Sequence, residues 1–138
     1  LFTSIVPNLL VPEISEAIRK STALKMYIAN VAEQPGETDG LTVLDHLNVI
    51  HHYGGERSVD IVIANSAMPL FLNPPPMLLV VDDEVEWPGG SVYVAADVID
   101  QSNLTHHDPI KLASTIAATY RKHRIVSRRL RGLWRQTG

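Results

Sequence analysis

Three groups of side chains in this sequence have the types and spacing for chemistry. The first is Asn30, Gln34, Gly36, Glu37, Thr38, Asp39 and Gly40, in the stretch ANVAEQPGETDG. Gly36 and Gly40 allow the backbone to come close to a ligand. Asn30 and Thr38 can donate hydrogen bonds, and Glu37 or Asp39 can hold sugar hydroxyls or a Mg²⁺ ion, which takes oxygen ligands. The stretch has no Lys and no GxxxxGK(S/T), so it is not a Walker-type phosphate cradle. The plainer reading is a turn followed by an acid-rich helix start.

His106-His107-Asp108 is the second group, with metal ligation or general-base work as its chemistry. Adjacent side chains diverge on a strand or helix, which disfavours one shared ion. Asp108 followed by Pro109 reads more simply as a helix cap, while His106 or His107 at that junction can still line a site. Third, Asn65-Ser66 ends an apolar run and could reach the same crevice as Asn30, or could be only a strand-end turn. His46, His51 and His52 lack the i, i+4 spacing of a helical zinc site and read as solvent-facing or helix-end residues. There is no GxSxG, no HExxH and no cysteine, which leaves hydrolase, zincin and thiol chemistry without support.

The elements that must position these groups follow from periodicity. Residues 25–31 have strand composition and lead into the loop at 33–40. Thr42, with Asp45 three residues on, predicts a capped helix from 42 to about 53, with Val43, Leu47 and Ile50 on its apolar face and Gly54-Gly55 as its stop. A polar loop between the carboxyl end of a strand and a helix N-terminus is where open α/β sheets bind ligands.

Before it, Pro12 suits the first turn of a helix whose buried face would be Ile14, Ala17 and Ile18. After it, VDIVIAN at 59–65 has the apolar density of a strand buried on both faces of a parallel sheet. Residues 67–77 hold four prolines and read as a packed oily loop. Residues 78–81 and 91–98 read as two further strands joined through the acidic run at 82–86. The last helix starts at Asp108-Pro109, buries Ile110, Leu112, Ala113, Ile116, Ala117 and Tyr120, and continues to about Trp134. The alternation predicts a Rossmann-like, doubly wound, mostly parallel α/β sheet. Such a domain would open with a strand and a phosphate-binding turn. Their absence reads as the C-terminal part of a larger protein: residues 1–119 the α/β portion, 120–138 a basic helical tail.

The net charge of −3 is unevenly spread over the 138 residues. All 15 acids precede residue 120, with only five Lys and Arg, whereas seven Lys and Arg follow Thr119. An acidic body with a basic tail suggests self-docking, a homo-oligomer contact or an anionic ligand. Nucleic acid is a poorer fit, because the tail has little aromatic content beyond Trp134. No apolar run approaches a membrane span of roughly 18 residues, and Pro7 and Asn8 interrupt the apolar opening, so neither membrane insertion nor a signal peptide is expected. Together with the lack of cysteine this fits a cytoplasmic protein.

FTSIVPNLLVPEISEAI, YIANVAEQPGETDGLTVLDHL, VDIVIAN and HHDPIKLA, in that order, resemble the bacterial gluconeogenesis-factor family (YvcK type). That family lies within the superfamily of 2-phospho-L-lactate transferase, CofD. The resemblance covers about residues 1–65 and 93–117, and QPGETDG with its upstream Asn is its most specific piece. It implies a Rossmann-like fold, binding of UDP-sugars such as UDP-N-acetylglucosamine, and a link to gluconeogenic growth, cell shape and wall synthesis. The transferase relatives imply the alternative, a Mg²⁺-dependent transfer of a phospho group, so enzymatic turnover stays open. Positions carried over by match are Asn8, Asn30, Gln34, Gly36, Glu37, Thr38, Asp39, Gly40, Asp45, His46, Asn65, His107 and Asp108. The family's usual Arg before the His-Asp pair is His106 here, which replaces a bidentate clamp by a pH-dependent donor.

Overall fold

The computed structural model describes residues 1–68, 78 and 86–134, with side chains described as far as residue 124. The first helical turn, α1 (Val6–Leu9), is followed by α2 (Pro12–Lys20), with a proline in the opening turn of each. Strand β1 (Met26–Ile28) leads through the loop to α3 (Val43–Gly54) and β2 (Ile61–Asn65). A 3₁₀ turn (Pro88–Gly90) precedes β3 (Val92–Ala96), and α4 (Pro109–Trp134) closes the chain order.

The three strands form a parallel sheet in the order β1-β2-β3. Tyr27, Val62 and Tyr93 align across it in register. These residues, with Ala64, face α3, whose Val43, Leu47 and Ile50 are buried at the i, i+4, i+7 spacing read from sequence. Leu1, Val6 and Leu9 close the same core. Ile61 and Ile63 alternate to the other face and are buried too, so β2 is covered on both sides as its composition required. Helix α4 runs back against the strand direction. Its start meets the carboxyl end of β1, while Tyr120 and Arg124 lie beside the residues that precede the strands.

Two local devices hold α3 in place. Thr42 accepts from the Asp45 amide at 3.1 Å and the Asp45 carboxylate accepts from the Thr42 amide at 2.9 Å, a reciprocal capping box. At its other end, a side chain on Gly89 would come within 2.6 Å of the Glu56 carbonyl and 2.8 Å of the His51 ring. Gly89 also has φ of +67°, so glycine is demanded there by space and conformation together. Beside this turn, Trp87 stacks on Tyr93 at 4.9 Å and 7°.

Several expectations are corrected. Strand β1 is shorter than residues 25–31, although the Ala29 amide still donates to Ile63. On α2 the buried residue is Ser15, whose hydroxyl donates to Pro12 O, while Ile14 and Ala17 are exposed. The helix meets the core only along one edge, where Ile18 lies. Along α4, Ile110, Ala113 and Tyr120 are exposed, and Leu112, Ile116 and Ala117 are half-buried. Ile110 belongs to the first turn of α4 and is 77% exposed. Residues 69–77 of the expected loop at 67–77, the rest of the expected strand at 78–81 beyond Leu78, and residues 82–85 of the acidic run lie outside the described residues; Leu78 itself forms an antiparallel bridge with Ala32.

Candidate functional site

The residues following β1 and those preceding α4 meet at the carboxyl end of the sheet. They enclose an open crevice of about 530 Å³, lined by Asn30, Gln34, Glu37, Thr105, His106 and His107 among others. It joins two segments more than 60 residues apart in sequence. The tie is explicit: His107 Nε2 donates to the Ala29 carbonyl at 3.0 Å. A carbonyl only accepts, so this nitrogen carries the proton and Nδ1 is left as an acceptor in the neutral ring.

The loop is pre-shaped by its own hydrogen bonds. Asn30 Nδ2 donates to Gln34 Oε1 at 2.8 Å, and the Gln34 amide donates to Thr38 Oγ1 at 2.8 Å. The Gly36 amide donates to Asp39 Oδ2 at 2.6 Å. Gly36 and Gly40 have φ of +78° and +71°, with open space where a Cβ would stand, so the turn needs their conformational freedom and not their small size. Glu37 Oε1 meets the Leu1 amino group at 2.6 Å and accepts from the Phe2 amide, while Oε2 accepts from Thr3 Oγ1 at 2.9 Å. Hydrogen bonds from the Phe2 amide and the Thr3 hydroxyl favour the ionised form of the Glu37 carboxyl. At neutral pH the crevice therefore carries a fixed carboxylate beside amide and imidazole groups.

Behind the loop, the Tyr27 hydroxyl and His46 Nδ1 share a buried hydrogen bond of 2.8 Å. Burial lowers the His46 imidazole to about 4, so it is neutral at pH 7. His46 is fully buried, which overturns its reading as a solvent-facing or helix-end residue. It sits at the fourth position of α3, on the same face as Val43 and Leu47, and helical phase carries it inward. His51 is half-buried against the 3₁₀ turn, and His52 is exposed.

The structure thus gathers five of the sequence-selected residues, Asn30, Gln34, Glu37, His106 and His107, into one lining. Others stand elsewhere. Thr38 is fully buried under the loop, and Gly36, Asp39 and Gly40 shape its outer turn. Asn8 is exposed on α1 and donates to Ser4 O. Asn65 forms a turn with Ala67 and accepts from the Val98 amide. Asp108 accepts from the Ile110 and Lys111 amides as the cap of α4. Glu33 and Thr105 line the crevice without having been singled out. Their sequence signal was adjacency: Thr105 precedes His106 and its hydroxyl lies 3.0 Å from His106 Nδ1.

A three-stranded parallel sheet with flanking helices defines a Rossmann-like α/β protein, and its crevice lies at the strands' carboxyl ends, where open α/β sheets place their ligands. Residues 1–72 match the family model described as 2-phospho-L-lactate transferase CofD, and the chain belongs to that family. It is 38% identical over 124 residues to a putative gluconeogenesis factor of Aquifex aeolicus, covering 84% of this chain and 38% of that protein. A gluconeogenesis factor of Halalkalibacterium halodurans is 54% identical over 65 residues, 47% of this chain and 20% of the relative. A crystal structure of a UPF0052-family protein from Bacillus halodurans superposes with a TM-score of 0.71 at 31% identity, over 84% of this chain and 39% of that one. The chain spans about two fifths or less of the length of these relatives. Among the described residues no helix is long and apolar enough to cross a membrane.

Proposed function

We propose that this chain contributes to a nucleotide-sugar-binding regulatory protein of the gluconeogenesis-factor type, acting in the cytoplasm on carbon metabolism and cell-shape control. The observation that carries this reading is the crevice at the carboxyl end of β1. Its Asn30 and Gln34 amides, ionised Glu37 and two imidazoles suit the hydroxyl and amide groups of a sugar nucleotide. The relatives named as gluconeogenesis factors support the biological setting.

A second reading, a Mg²⁺-dependent phospho-group transferase, is supported by the transferase family model. Among the described residues no three His, Asp or Glu gather as a metal cage. Mg²⁺ commonly binds through one or two carboxylates plus substrate phosphates. Glu37 in the crevice or Asp39 on the loop would supply such a carboxylate, and the ion would neutralise phosphate charge.

Isothermal titration with UDP-N-acetylglucosamine, with and without Mg²⁺, tests both. Saturable heat independent of Mg²⁺ supports the regulatory reading, and a strict Mg²⁺ requirement favours the transferase. Absence of heat in a full-length protein carrying these residues would overturn both. The chain alone is expected to bind weakly, because it spans only part of its relatives.

A further inference from the structure

At the opposite end of the sheet lies a second crevice, of about 770 Å³, formed by the residues that lead into the strands. Lys25 precedes β1, Asp60 precedes β2 and Gly90 precedes β3, while Tyr120, His123 and Arg124 of α4 form the far wall. Residues 1–119 hold only five Lys and Arg, and four of them, Arg19, Lys20, Lys25 and Arg57, line this one crevice with Arg124. Among the described acids only Glu56 and Asp60 are there. In a chain of net charge −3, this is a concentrated positive surface.

Part of that charge is already committed. Lys25 pairs with Asp60 at 3.2 Å and Lys20 with Glu16 at 2.6 Å. Arg19 donates to the Gly54 carbonyl at 3.1 Å, which orients its guanidinium without neutralising it. The Arg57 side chain has no ion pair among the described residues, and Arg124 has only the face of Tyr120, 5.7 Å from its centroid. Arg19, Arg57 and Arg124 therefore bring more positive charge to the crevice than Glu56 offsets. Guanidinium forks favour phosphate oxygens, and several around one hollow favour adjacent phosphates over a single carboxylate.

We propose that this crevice is a second ligand site, separate from the one at the carboxyl end, and that it binds a small anion carrying two or more linked phosphates. Arg57 and Arg124 grip the phosphates, and Arg19 is held in place by α3.

The test is calorimetric titration of the chain with inorganic pyrophosphate at low ionic strength, on the native protein and on Arg57→Ala, Arg57→Glu, Arg124→Ala and Asn30→Ala. The expected result is saturable binding that weakens about tenfold or more in each Arg→Ala variant and further in Arg57→Glu. Asn30→Ala should bind like the native chain, with circular dichroism confirming that every variant is folded. Absence of binding overturns the proposal. So does binding that Asn30→Ala weakens and the arginine variants do not, because the anion would then occupy the other crevice.

Discussion

The Tyr27 hydroxyl and His46 Nδ1 meet at 2.8 Å between β1 and α3, with both side chains inside the protein. Burial also holds the Tyr27 phenol well above its ordinary value, so both partners are neutral. This bond fixes α3 against the strand that delivers Asn30 to the crevice. Tyr27→Phe leaves Nδ1 buried and unpaired, and His46 Nε2 already has no partner among the described residues. The expected loss is about 1–3 kcal/mol, read from the urea midpoint at unchanged slope.

Acid should weaken the fold through its buried histidines. His46 has an ordinary value of 6.5 and about 4 in the folded chain, so the unfolded chain takes up its proton first. Stability therefore falls as pH is lowered from 6.5 towards 4. His51, lowered mainly by burial, adds in the same direction. Thermal unfolding followed between pH 7 and about 4 should show a shallower loss of stability in His46→Gln.

Gly89→Ala should destabilise by more than the roughly 1–2 kcal/mol of a left-handed conformation, because its methyl group meets the Glu56 carbonyl. Gly36→Ala, with open space around it, should cost only the conformational part. Chemical denaturation of the two variants side by side measures the difference.

Thr42→Ala removes one half of the capping box and should cost about 1 kcal/mol. Hydrogen bonds from the Thr42 amide and hydroxyl lower the Asp45 carboxyl, so the native advantage over this variant should shrink in acid. Equal acid sensitivity of native protein and variant would show the carboxylate to be idle there.

In the ligand-binding experiment, Asn30→Ala should weaken affinity by loss of a direct contact, with the melting temperature little changed. Asp39→Ala should act differently. It frees the Gly36 amide, loosens the loop, and should lower affinity together with loop protection in hydrogen exchange. If neither variant changes affinity, the ligand binds elsewhere.

Local pattern alone determined the capped helix, the doubly buried strand and the start of α4, because a cap, an apolar period and a proline are properties of neighbouring residues. The capping box at Thr42 and the Asp108 cap were legible for that reason. So was the loop that carries Asn30, Gln34 and Glu37. Which of those side chains share a cavity was decided only by tertiary structure. His107 reaches Ala29 across 78 positions of sequence, and Asn65 turns away to cap its own strand end. His46 and His52 looked alike in sequence, yet one is buried and the other exposed. Side-chain direction in a helix depends on which face the sheet covers, and the basic crevice depends on strands and helix bringing distant charges together. Such contacts exist only once the chain has closed on itself.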